Sequence, residues 1–177
     1  VEQAVADGLF NGVSASRFAP ETTMTRAMFV QVLYRLFGAP RIAAQMNFTD
    51  VCSGAWYYDA VLWAETTGVV TGVSETQFAP NDTITRQQMA TMLYKYSALC
   101  GNVDSATAKP LDGFPDNAQV SNYARAAMQW AIGNGIINGV SQNGQTYLRP
   151  RDGATRAQAA TMLVRYSRTF SGKSGVA

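Results

Sequence analysis

Histidine is absent from the 177 residues, and only two cysteines are present. The first absence removes the commonest general base and the commonest zinc ligand, so triad-type catalysis and histidine–metal chemistry have no obvious centre. Charge is also sparse: 15% of residues are charged, and 14 basic against 12 acidic side chains leave a formal charge of +2. So small and scattered an excess cannot supply the phosphate-neutralising stripe that nucleic acid requires. No apolar run approaches the roughly 18 to 20 residues that span a bilayer, which argues against membrane insertion. Residues 1–20 lack the basic start and apolar stretch of a signal peptide. No nucleophile–base arrangement, metal-ligand spacing or phosphate loop stands out, so the chain reads as a non-enzyme that carries no metal and needs no cofactor. What it does have is apolar material, 47% of residues, enough for an ordinary globular domain.

The apolar residues recur. Phe78-Ala79-Pro80 and Ile84-Thr85-Arg86 repeat Phe18-Ala19-Pro20 and Met24-Thr25-Arg26, and Gly68 and Gly72 repeat Gly8 and Gly12. A third copy aligns Gly135 to Val140 with Gly68 to Val73 and then, after an insertion around Gln142 to Gln145, Pro150 and Thr155-Arg156-Ala157-Gln158 regain the pattern. Copies two and three also open alike, Phe48-Thr49-Asp50 with Trp56, Ala60, Trp63 and Ala64 against Phe114-Pro115-Asp116 with Tyr123, Ala127, Trp130 and Ala131. Copy one lacks that opening. Val1 begins midway through the pattern, so the sequence reads as cut from a longer chain with any export signal upstream. The units fall at 1–40, 48–100 and 114–170, joined by Gly-, Pro- and Asn-bearing linkers.

Within a unit the spacing predicts a first helix from about Tyr57 to Thr67, because Ala60, Trp63, Ala64 and Thr67 share one face. Gly68 and Gly135 suit the left-handed residue after a helix. Thr85 and Thr155 are natural N-caps, and Gln88 and Gln158 three residues on can reciprocate as capping boxes. The second helix carries Met89, Met92, Leu93 and Tyr96 on one face, echoed by Phe29, Val32, Leu33 and Leu36 and by Ala159, Met162, Leu163 and Tyr166. One helix pair cannot bury such faces alone, so the expected class is all-α, three helix-loop-helix repeats packed as a pseudo-threefold cluster rather than an open solenoid.

These elements in this order, F-x-D, W-Y-x-x-A-V-x-W-A, G-hydrophobic-hydrophobic-x-G, F-x-P and I-T-R-Q-Q, resemble the S-layer homology repeat over nearly the whole chain. The resemblance implies a three-lobed spindle around a central helical bundle, on a secreted protein of the bacterial surface. It implies grooves between lobes that hold secondary cell-wall polysaccharide, commonly a glycan with a pyruvate ketal on N-acetylmannosamine. It also implies a ligand-binding arginine in the motif T-R-A-E or T-R-A-Q. The function expected is therefore non-catalytic anchoring of a larger protein to wall glycan. The alternatives are a self-association or S-layer lattice module, and an appendage of an extracellular enzyme whose catalytic domain lies elsewhere.

The arginine after each N-cap threonine, Arg26, Arg86 and Arg156, sits where a helix presents partial positive charge, a placement that costs about 0.3 to 1 kcal/mol unless an anion offsets it. A helix N-terminus with free N–H groups beside an arginine fork is a receptor for a carboxylate. The competing reading is an internal salt bridge to Asp50, Asp82, Asp116 or Asp152. Trp63 and Trp130 are either core or a platform for a sugar ring, and copy one has Gln3 there. Gly12, Gly72 and Gly139 either admit a ligand to the backbone or serve turn geometry. Trp56 and Tyr123 are assigned to the core. Asp50 and Asp116 either accept from sugar hydroxyls or cap the following helix, the cap being favoured. In a threefold arrangement those two carboxylates lie too far apart for the roughly 5 to 9.5 Å of a glycosidase pair. Cys52 and Cys100 flank the two helices of copy two, which as an antiparallel pair would bring them together as a disulfide; the alternative is two free thiols.

Overall fold

The computed structural model of the chain describes residues 19–103 and 107–170. Readings that concern Gln3, Gly8, Gly12 and Phe18 lie outside the described residues. The described chain is mostly helical: α1 (Arg26–Leu36), α2 (Tyr58–Thr66), α3 (Arg86–Leu99), α4 (Arg125–Gly133) and α5 (Arg156–Phe170). Two 3-10 turns, Asn117–Gln119 and Asn122–Ala124, lead into α4. The expected first helix is α2, within a residue at each end, and Gly68 and Gly135 follow α2 and α4 with φ of +73° and +66°. Thr85 caps α3 with the full capping box, and Thr155 and Gln158 exchange the same pair of bonds at α5.

The departure from an all-helical chain is small. Strands β1 (Val140–Gln142) and β2 (Gln145–Tyr147) pair antiparallel in the insertion peculiar to copy three. Asn143 and Gly144 join them, both at positive φ. An Asn-Gly pair between two short segments is the hairpin signal that the sequence reading passed over.

Helices pair between copies. The first helix of copy two, α2, packs on the second helix of copy one, α1, and α4 packs likewise on α3. The tryptophans mark these seams. Trp63 lies among Tyr34 and Phe37 from the α1 end and Tyr96 of α3, ring centroids 5.7, 5.3 and 6.4 Å away. Trp130 lies among Tyr94 of α3 and Tyr166 and Phe170 of α5. Because α2 is packed on α1, the two helices of copy two are not the antiparallel hairpin that would bring Cys52 to Cys100. Both cysteines are free, Cys52 exposed before α2 and Cys100 at the end of α3, which corrects the expected disulfide.

The three loops ahead of the second helices meet backbone to backbone. Met24 N donates to Ala154 O, Ala154 N to Ile84 O, and Ile84 N to Met24 O, at 2.8 to 2.9 Å, so the set closes on itself. Met24, Ile84 and Ala154 are fully buried. Each ring residue is followed by its N-cap threonine and then by a second helix, so the three helices start from one point.

Asp50 and Asp116 tie the opening segment of a copy to its own F-x-P loop. Asp50 accepts from Phe78 N and Ala79 N at 2.9 and 2.7 Å, and Asp116 from Leu148 N and Arg149 N at 2.8 and 2.7 Å. Neither carboxylate caps a helix, which corrects the favoured reading: each points both oxygens at the backbone N–H groups of this loop. Asp116→Ala is expected to strand two backbone donors and lower stability by about 1 to 3 kcal/mol in urea unfolding, while Trp63→Ala costs about 3 to 5 kcal/mol. In denaturant without reductant both cysteine thiols should titrate; fewer than two would mean that Cys52 and Cys100 are bonded in solution.

Candidate functional site

Arg26, Arg86 and Arg156 each occupy the first position of a second helix, as the Thr-Arg pairs required. The backbone around them is not the free anion receptor expected. Arg26 N donates to Asp82 O and Ala27 N to Pro80 O, Arg86 N to Asp152 O and Gln87 N to Pro150 O, and Arg156 N to Thr22 O and Ala157 N to Pro20 O. The third N–H of each helix bonds the cap threonine, at Met28, Gln88 and Gln158. Each helix start is thus saturated by the loop of another copy, and any anion must be met by side chains.

The guanidinium groups reach across the same seam. Arg26 Nε donates to Phe78 O at 2.8 Å, and its Cζ stands 4.7 Å from the centre of the Phe78 ring. Arg86 Nε donates to Leu148 O, the matching carbonyl of copy three, at 2.9 Å. All three arginines are buried, Arg26 at 3% exposure. Burial pulls each guanidinium below its usual range; the nearby charges of Asp82, Tyr123 and Asp50 partly offset this for Arg26, and that of Asp152 for Arg86. The aspartates proposed as salt-bridge partners do not come within 4 Å of Arg26 or Arg86, and the ion pair the described residues show is Arg149 with Asp152. Arg26 Nη2 has no partner at all. Leaving such a group unpaired costs about 1 to 3 kcal/mol, more when it is charged.

Two grooves run beside these arginines. Groove 1, of about 360 Å³, joins Arg26 of copy one to Val70 and Gly72, to Lys95 on α3, and to Tyr123 of copy three. Groove 2, of about 190 Å³, joins Arg86 of copy two to Ile137 and Asn138, and to Thr161 and Arg165 on α5. Lys95 and Arg165 hold equivalent positions, nine residues after the arginine, and sequence reasoning missed both. The signal was a cation about two and a half helical turns after each Thr-Arg pair. Among the described residues, neither groove is lined by a carboxylate. What this arrangement can do is hold an anion against two cations in partly desolvated surroundings.

The other expected site residues fall elsewhere. Trp63 and Trp130 are at 0% and 1% exposure, so neither offers a face to a sugar; the platform reading is corrected to core. The reason is that α2 has no free face, with Ala60, Val61, Leu62, Trp63 and Ala64 all buried in succession. Trp56 and Tyr123, assigned to the core, are exposed at 61% and 59%. Gly72 lines groove 1, and a Cβ there would run into Ser74 O and Gln77 O; at Gly139 it would meet the Thr146 side chain and Tyr147 O. Turn packing therefore accounts for both glycines, and only Gly72 also borders a groove.

Comparison with known proteins is consistent with this geometry. The S-layer homology domain family matches residues 1–28, 47–90 and 113–160. The Surface-layer 125 kDa protein of Lysinibacillus sphaericus is 33% identical over 165 residues, 93% of this chain and 13% of that protein. An amylopullulanase of Thermoanaerobacterium thermosulfurigenes is 30% identical over 92% of this chain and 8% of its own length. A cellulosome-anchoring protein of Acetivibrio thermocellus is 24% identical over 87% of this chain and 34% of its own. The chain thus spans between 8% and 34% of the length of these relatives. With three matched segments in register with its three copies, the chain belongs to the S-layer homology domain family.

Proposed function

We propose that this chain is a glycan-binding anchor that holds a larger secreted protein to the cell wall through the grooves beside Arg26, Arg86 and Arg156. The module is extracellular and works at the bacterial cell surface. The observation that carries the reading is a buried arginine with no carboxylate partner at the floor of each described groove. A desolvated guanidinium whose charge is only partly offset is costly and attracts an anion strongly. A pyruvate ketal on a neutral sugar brings one carboxylate on a rigid ring, which suits a narrow groove better than a densely charged polyanion. The glycan of this reading is a pyruvylated secondary wall polymer.

The three repeats, 1–40, 48–100 and 114–170, act as one module in this reading, grouped about a pseudo-threefold axis as a spindle. The closed ring through Met24, Ile84 and Ala154 supports that arrangement, as does the capping of each second helix by another copy's loop. Catalysis by any parent protein is assigned to domains outside this chain, in keeping with relatives as different as an amylopullulanase and a surface-layer protein.

The test is calorimetric titration of the chain with purified pyruvylated wall polymer and with the same polymer stripped of its ketal. Binding should weaken by at least about tenfold, about 1.4 kcal/mol, when the ketal is removed. Equal affinity for both polymers would refute the acidic-ketal reading. Heat that scales with protein concentration in the absence of glycan would favour self-association instead.

A further inference from the structure

The two described grooves are not equivalent, and the differences all fall on one side. We infer that groove 1 is the stronger site for an acidic pyranose and that Lys95 and Tyr123 are its contact residues; this rests on the glycan-anchoring reading above. In groove 2 the Arg86 fork is already occupied, since Nη2 donates to Asn138 O at 3.2 Å while Nε holds Leu148 O. In groove 1 Arg26 holds only the matching Phe78 O, and its Nη2 is buried without a partner. A ligand carboxylate that reaches the Arg26 fork in groove 1 finds a donor without a partner, whereas in groove 2 one arm of the Arg86 fork is already committed to a backbone carbonyl.

Groove 1 also holds a second cation, Lys95, half-buried on α3, and burial draws its ammonium below the usual range. An anion beside it recovers part of that lost solvation.

The wall is different too. Tyr123 comes from the third copy to close groove 1, more than half exposed, and its phenol and the Arg26 charge perturb each other. Val73, also exposed, borders the same groove. An exposed ring at the rim of a cationic cleft is suited to the C–H face of a pyranose. Among the described residues, no aromatic lines groove 2.

Tyr123 is held in place by a device that only copy two has. Gln87 is buried, its Nε2 donates to Ser121 Oγ at 3.1 Å, and its Oε1 accepts from Ser121 N at 3.0 Å. Copies one and three have Ala27 and Ala157 at that position, so neither can make the pair. Gln87 is therefore a positioning residue for the turn that carries Tyr123, two residues on.

The experiment is calorimetric titration of the full chain with the pyruvate ketal of methyl N-acetylmannosaminide and with the same glycoside lacking the ketal. Arg26→Ala also removes the bond to Phe78 O, so surface variants that leave that bond in place bear the test. Lys95→Met and Tyr123→Ala should each weaken the tightest event by about tenfold, more than Arg165→Met does. Gln87→Ala should weaken it severalfold while its thermal unfolding stays cooperative. Losses from Arg165→Met equal to or larger than those from Lys95→Met would overturn the inference and leave the anchoring function standing. A wild-type chain that cannot tell the ketal from the plain glycoside would overturn both.

Discussion

The ring of three backbone hydrogen bonds through Met24, Ile84 and Ala154 is the constraint from which the rest follows. Three short loops from different parts of the chain can satisfy their peptide groups in the core only by pairing with one another. Closing that set brings Thr25, Thr85 and Thr155 together, and with them the starts of α1, α3 and α5. Each of those helices has N–H groups that need acceptors, and the loop of another copy supplies two per helix. A single copy would leave its ring peptide and helix start unpaired in an apolar setting. The unit of folding is therefore the whole set of copies.

Local periodicity was legible because it depends on neighbours in sequence. The bounds of α2, the capping boxes at Thr85 and Thr155, and the positive φ of Gly68 and Gly135 followed from spacing alone. What was not legible was which helix packs on which. A helix-loop-helix repeat reads the same whether its helices form a hairpin or exchange partners with the next copy, and here α2 and α4 pack on the preceding copy. The misplaced disulfide and the tryptophan platform both follow from that ambiguity. Trp63 shares a stripe with alanines, which pattern alone cannot distinguish from a half-exposed face. The exposure of Trp56 and Tyr123 was hidden because an aromatic one turn ahead of a helix carries no periodic signal. Of the site, the Thr-Arg pairs and Gly72 were visible, while Lys95 and Arg165 belong to no motif that sets them apart from other cations.

The arginines combine two demands that are usually separate. One N–H of each described fork, Nε of Arg26 and of Arg86, is committed to the carbonyl of the next copy's F-x-P loop. That bond, with the Phe78 ring under Arg26, holds adjacent copies at the seam where a groove lies. The charge, however, is not neutralised by the bond, because a carbonyl is a dipole. Burying a cation against dipoles alone is unfavourable compared with pairing it to a carboxylate. Asp50 and Asp116 are the nearby candidates, yet both are spent on backbone donors of the same loop. The loop thus separates the acid from the base, with the carboxylate on its N–H side and the guanidinium on its carbonyl side. A positive charge is left facing the groove.

The same loop carries a backbone irregularity that recurs in every copy. Ala19, Ala79 and Arg149, each directly before a proline, take φ of +51°, +57° and +48°, a left-handed conformation that costs a non-glycine residue about 1 to 2 kcal/mol. The carboxylate of Asp50 or Asp116 might be credited with enforcing it, since each binds the N–H of the strained residue at 2.7 Å. In all three loops the carbonyl of that residue accepts from the N–H three positions on, Thr22, Asp82 or Asp152, and the carbonyls of Pro20, Pro80 and Pro150 accept helix-cap bonds from another copy. The bend is thus held by the assembled copies as well as by the aspartates. The loop geometry on which the arginines depend is therefore a property of the assembled ring.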